Sequence, residues 1–235
     1  EKVNLFDTEP VKATELRNTL RTELLSFPNR PYQEFTDTNV DLSVSTENTS
    51  ILGKVLAGYQ GWFNTPTDGS NRGWQHYKTA SGAFEPGEVT VDFWPDMSEA
   101  DVDEKYATPF FHKDGSLATV FSSANIKTVN RHFKWMNDYG IDGVFFQQFA
   151  SNLRSNNPKG RANALVVFDN IIAGAKANNN RLVSIMYDLS GSNATGTMVN
   201  DIKQHWQEMA NKHGVNDNTK EYVLTYQQKP VVAIW

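Results

Sequence analysis

The chain has 235 residues, 39% hydrophobic and 21% charged, with a net charge of −5 and no cysteine. That is one large domain or a modest pair with an ordinary globular composition. It excludes disulfides, thiolate nucleophiles and cysteine-ligated zinc without fixing the compartment, and a negative chain without a basic cluster argues against nucleic acid. Neutral polar partners such as carbohydrate remain open. No apolar run approaches the roughly 20 residues of a membrane-spanning helix. The first residue is Glu1 rather than Met, which reads as a mature or trimmed chain.

Taken in order, Leu16, Leu20 and Leu24 predict a helix over 9–27, ended by Pro28 and Pro31. Residues 28–50 are polar and read as an extended connection. The expected division is therefore 1–52, a helix and linker, and 53–235, the compact body. Within that body, 54–63 reads as a strand, 89–94 as a second and 117–121 as a third. Ile126, Val129, Phe133 and Met136 make a helical stripe that Gly140 ends, with Ser123 or Asn125 as its cap. A strand over 143–149, a helix over 164–177 and a strand over 181–187 follow. Met198, Ile202, Trp206 and Met209 mark a further helix closed by Gly214, and 231–235 reads as one more strand.

Alternating apolar strands and helices predict a parallel sheet covered by helices. The candidates are a (β/α)8 barrel and an open doubly wound sheet. The first strand ends "AGYQGWFN", with aromatics where a phosphate turn needs small residues, and no glycine-rich phosphate motif occurs. The reading favours the barrel. A barrel takes about 250 residues, yet the first strand opens at Lys54 and Trp235 still lies inside a strand pattern. The expectation is a barrel incomplete in this chain, with the remainder of its own chain or a second chain as partner.

In a barrel, residues just past the C-terminal strand ends build the site. Here these are Tyr59, Gln60, Trp62 and Phe63, then Trp74, His76 and Tyr77, then Asp92, Trp94 and Asp96, then Gln147 and Gln148, then Tyr187 and Asp188, and finally Trp235. Flat rings among carboxylates, amides and a histidine suit a sugar, and two carboxylates can work as acid and base or nucleophile. Asp188, Asp92 and Asp96 are the catalytic candidates; Tyr59, Trp62, Trp74, His76, Trp94, Gln147, Tyr187 and Trp235 are the substrate-binding candidates. Strand alternation lets only one of Gln147 and Gln148 face the barrel centre. Asp188 has a plainer reading as the cap of an Asx turn. The acidic run from Asp96 to Glu104 lacks the pattern of a calcium loop, the histidines have no HExxH spacing, and no metal is expected.

The segments "KVLAGYQGWFNTP", "GWQHY", "VTVDFWPDMSE", "FSSANIKTVNRHFKWMNDYGIDGVFFQQF", "LVSIMYDLSG" and "KPVVAIW" together resemble the glycoside hydrolase family 71/99-like proteins. These are related to endo-α-mannosidase and often carry a xylosidase or arabinosidase label. The resemblance runs from about Lys54 to Trp235. It implies a (β/α)8 barrel, a secreted, periplasmic or cell-surface address, often in polysaccharide-degrading bacteria, action on α-linked glycans and no organic cofactor. The endo-α-mannosidases place a His-x-Glu-Pro-Tyr-like motif after such a strand; here Met186–Ser190 stands there, with Asp188 as its only carboxylate. The motif's second carboxylate is absent. The rival expectations are a glycan-binding protein on a hydrolase scaffold and a barrel enzyme of another class, such as a phosphate-dependent lyase or isomerase.

Overall fold

The computed structural model describes residues 48–190 and 196–235. The helix expected over 9–27 lies outside them. In chain order the elements are β1 (Leu56–Tyr59), β2 (Tyr106–Phe111), β3 (Leu117–Val120), α1 (Ile126–Asp138), β4 (Gly143–Phe149), α2 (Pro158–Ala177), β5 (Leu182–Asp188), α3 (Gly196–His213), β6 (Thr225–Tyr226), β7 (Lys229–Pro230) and β8 (Val232–Ile234).

One parallel sheet has the order β1-β4-β5-β8. Its register aligns Leu56 with Gly143 and Leu182, and Gln147 with Met186 and Ala233. The order runs one way along the chain, so these four strands contain no switch point of a doubly wound sheet. Among the described residues the sheet does not close: β1 and β8 are its edges.

Strand alternation divides the sheet into two faces. Tyr59, Val144, Phe146, Val183, Ile185 and Tyr187 form one cluster with Val129 and Phe133 of α1, Val167, Phe168 and Ile171 of α2, and Met209 of α3. Among the described residues α1, α2 and α3 thus pack on one face, as in a barrel and unlike a doubly wound sheet. Asn125 caps α1 by accepting from the Lys127 and Thr128 amides. Gly140 leaves it at φ +76°, the left-handed conformation glycine adopts without strain. α2 begins at Pro158 rather than at Ala164, because Asn157 caps it and proline suits the first turn. At Gly174 an added Cβ would lie 3.0 Å from the Phe133 ring, so a hydrogen there lets α1 and α2 approach.

The stretch between β1 and α1 departs most from the sequence reading. It holds a second apolar cluster of Tyr77, Phe84 and Val120, joined by Phe63, Trp74, Val91, Trp94 and Phe110. The strand expected over 89–94 is absent. The Thr90 hydroxyl and amide bond to the loop carbonyl of Tyr77, and the Trp94 side chain donates from Nε1 to the carbonyl of Thr119 in β3, so these groups are paired outside any ladder of their own. β3 forms where expected but pairs antiparallel with β2, outside the parallel sheet. β2 carries Pro109 at a register irregularity, which hides it from a strand pattern.

Two strand tyrosines tie the sheet to helices. The Tyr59 hydroxyl lies 2.9 Å from His132 Nδ1 on α1, and the Tyr187 hydroxyl 2.9 Å from His205 Nδ1 on α3. Burial pushes both histidines down to about 4. An unfolded histidine titrates near 6.5, so between about pH 6.5 and about pH 4 the unfolded chain binds protons that the folded chain refuses. Stability is therefore full above about pH 6.5 and falls as the pH drops toward 4. Fully buried His205 contributes about 3 kcal/mol across that window; His132, partly exposed, contributes less. Urea unfolding at a series of pH values will give a midpoint that falls between about pH 6.5 and about pH 4.5, with a shallower fall in His205→Asn. Identical slopes in the two proteins would contradict this.

Candidate active site

The face turned away from the helices carries Gly58, Phe145, Gln147, Phe149, Ser184, Met186, Asp188 and Ala233. At its C-terminal end three strands supply one polar array. Gln60, just past β1, donates from Nε2 to Gln147 Oε1 at 3.1 Å. Gln147 in turn donates from Nε2 to Asp188 Oδ2. The Ser190 amide donates to Asp188 Oδ1 at 2.7 Å, so the Asx turn considered from the sequence is present as well. Gln148 points the other way, buried, and donates to its neighbour's carbonyl, that of Phe149.

Asp188 is only 3% exposed. Burial pushes its carboxyl up, but the bonds from Ser190 and Gln147 outweigh burial and hold it below the ordinary carboxylate value. It is ionised at neutral pH and accepts only. A group in that state can act as a nucleophile, a base or a stabiliser of developing positive charge; it has no proton to give as a general acid.

Beside this array lies an aromatic stack. The Trp62 ring stacks on His76 at 4.5 Å and 10°, and on Phe149 at 4.9 Å and 9°. Phe149 is the register partner of Asp188. Gly61 makes the approach possible, since a Cβ there would stand 2.3 Å from Val167 Cγ1. His76 sits at φ +60°, a strained conformation for a non-glycine residue, and its backbone carbonyl accepts from Thr90 Oγ1. Burial and then the Arg72 charge lower its pKa. The loop beneath is fixed by Asp68, which accepts from Asn64 Nδ2 (3.0 Å), the Thr65 amide (2.9 Å), the Ser70 amide (2.8 Å) and Ser122 Oγ (2.6 Å). Arg72 joins this knot through Asn64 Oδ1 at 2.9 Å.

The structure thus brings Asp188 and Gln147 into direct contact and sets Trp62 and His76 next to them through Phe149. Trp235 is 75% exposed, and its backbone pairs with Tyr187 and Leu189 on either side of Asp188. The other sequence candidates lie elsewhere. Tyr59 and Tyr187 face the helices, their hydroxyls on His132 and His205. Trp74 and Trp94 pack in the aromatic cluster, 4.8 Å from Phe84 and 5.1 Å from Phe110 respectively. Asp92 and Asp96 are exposed, with Asp96 Oδ1 closing a turn on the Ser98 amide. Phe149, Arg72 and Asp68 escaped the sequence reading; the "TPTDGS" run containing Asp68 signals a turn and nothing about its buried partners. Among the described residues no three His, Asp or Glu side chains gather as a metal site, and no helix is long and apolar enough to cross a membrane.

No family model matches the sequence, and no curated protein matches it. Two solved structures of the GH99 endo-α-mannosidase from Bacteroides thetaiotaomicron are similar to the chain. One, in complex with BIS-TRIS-propane, has a TM-score of 0.46 and 12% identity, covering 80% of this chain and 42% of that one. The other has a TM-score of 0.41 and 16% identity, covering 80% and 45%. The chain spans less than half the length of either.

The Gln147 bond makes a direct prediction. In Gln147→Leu the pKa of Asp188, followed by the carboxyl carbon signal in NMR, will rise, because burial remains and a donor is lost. An unchanged titration would mean that Ser190 alone holds the charge.

Proposed function

We propose that this sheet is part of a (β/α)8-type barrel and that its C-terminal face belongs to a glycoside hydrolase acting on an α-linked glycan, with Asp188 as its anionic carboxylate. The observation that carries the reading is a buried, ionised aspartate at a strand end on the sheet face turned away from α1, α2 and α3, held by the Gln147 side chain of the neighbouring strand and by the Ser190 amide. In that role Asp188 attacks, or stabilises, the oxocarbenium-like centre that forms as a glycosidic bond breaks. Gln60 and Gln147 supply hydroxyl partners, His76 and Trp235 offer ring surface at the rim, and Trp62, already stacked on protein rings, sets the wall. A secreted, periplasmic or cell-surface address goes with this reading.

A second reading, glycan binding without turnover, has one observation in its favour. Among the described residues no second carboxylate shares the hydrogen-bond array of Asp188, and Asp92 and Asp96 sit exposed in the stretch between β1 and α1. Hydrolysis of α-mannan and α-glucan oligosaccharides by the protein and by Asp188→Asn, with calorimetry on the same sugars, separates the two. The hydrolase reading expects activity that falls about 1,000-fold or more in the variant. Binding of equal strength in both proteins, with no turnover in either, would replace it by the binding reading.

A further inference from the structure

The lobe between β1 and α1 holds a cleft of its own, about 550 Å³ in volume, whose lining includes Trp94, Asp96, Met97, Lys105, His112 and Ser116 and none of the residues around Asp188. Its aromatic wall is rigid. Trp94 Nε1 donates to the Thr119 carbonyl at 2.9 Å, and the indole packs on Phe110 and lies within 8° of parallel to Phe84. The ring remains partly exposed and so offers a fixed apolar surface with little entropy left to lose. Around it Asp96 provides an acceptor, Lys105 an ammonium group, His112 ring nitrogens and Ser116 a hydroxyl.

The charge of Lys105 is matched by that of Asp96, which disfavours a phosphate or another polyanion. The lining mixes polar side chains (Asp96, Lys105, His112, Ser116) with Met97 and Leu117, which disfavours a wholly apolar peptide. A flat ring beside separate donors and acceptors in an open cleft fits the alternating C–H faces and hydroxyl edges of a sugar. We propose that this cleft is a second saccharide-binding site, holding a neutral glycan chain without acting on it. Trp94 and Asp96 thus belong together, in a place separate from Asp188. The site rests on its own lining and stands whether or not Asp188 is catalytic.

Affinity gel electrophoresis of the protein in gels containing soluble amylose or α-mannan tests the site. Trp94 also holds the lobe's core, so the primary variant is Asp96→Asn/His112→Ala, which alters exposed side chains, with thermal unfolding as the check on folding. The expected result is retardation of the parent protein and of Asp188→Asn on at least one polysaccharide, with binding about tenfold weaker in the double variant. Equal retardation of the double variant and its parent, no retardation of the parent in either gel, or a loss that occurs only in Asp188→Asn would each overturn the proposal. Loss of hydrolysis in Asp188→Asn reads on the catalytic assignment alone and leaves this test untouched.

Discussion

A charge buried at the end of an apolar strand must be held by hydrogen bonds or be neutralised. Asp188 is held: one oxygen accepts from Gln147 across the β4–β5 ladder, the other from the Ser190 amide. The rest of the site follows from that requirement. Gln147 can serve only because β4 and β5 run parallel with Gln147 opposite Met186, one step below Asp188. A slip of one residue would turn Gln147 into the helix-packed core and bring Gln148 out in its place. Gln60 extends the array to a third strand and orients the amide that faces the carboxylate.

The two faces of the sheet divide the labour. One is sealed by α1, α2 and α3 and carries the apolar core, with Tyr59 and Tyr187 tied to buried histidines of the helices. The other carries amides, Ser184, Met186 and Asp188. The chain leaving β1 crosses from the first role to the second within a few residues: Tyr59 points into the core, Gln60 joins the polar array, Gly61 passes over Val167, and Trp62 lies on Phe149. A larger residue at position 61 would push that crossing away from α2 and take Trp62 out of its stack.

What the sequence discloses follows the range of the interactions involved. β4, β5, α1 and the end of α3 are written in local pattern, as continuous apolar runs or a 3.6-residue stripe with a cap and a glycine. Asp188 is legible because a carboxylate closing an apolar run is anomalous within seven residues of chain. The lobe before α1 is not legible, because its aromatic residues meet only in three dimensions: Trp94 finds Phe110 and the Thr119 carbonyl, and Trp74 finds Phe84. Trp74 and Trp94 therefore read as parts of one site with Asp188, although they pack in a separate core. The same limit hides Asp68, whose partners include Ser122, 54 residues away.

The site depends on the orientation of β5, with Asp188 and Met186 on the face turned away from α1, α2 and α3, and Ile185 and Tyr187 on the face those helices cover. The chain contains no cysteine, so an introduced thiol is unique. Met186→Cys and Ile185→Cys, compared for their rate of reaction with a small thiol reagent under native conditions, measure the two faces at adjacent positions. The thiol at 186 will react at least about tenfold faster, with 185 protected by the packed helices. Equal rates, or faster reaction at 185, would place Asp188 in the core and contradict the site described around it.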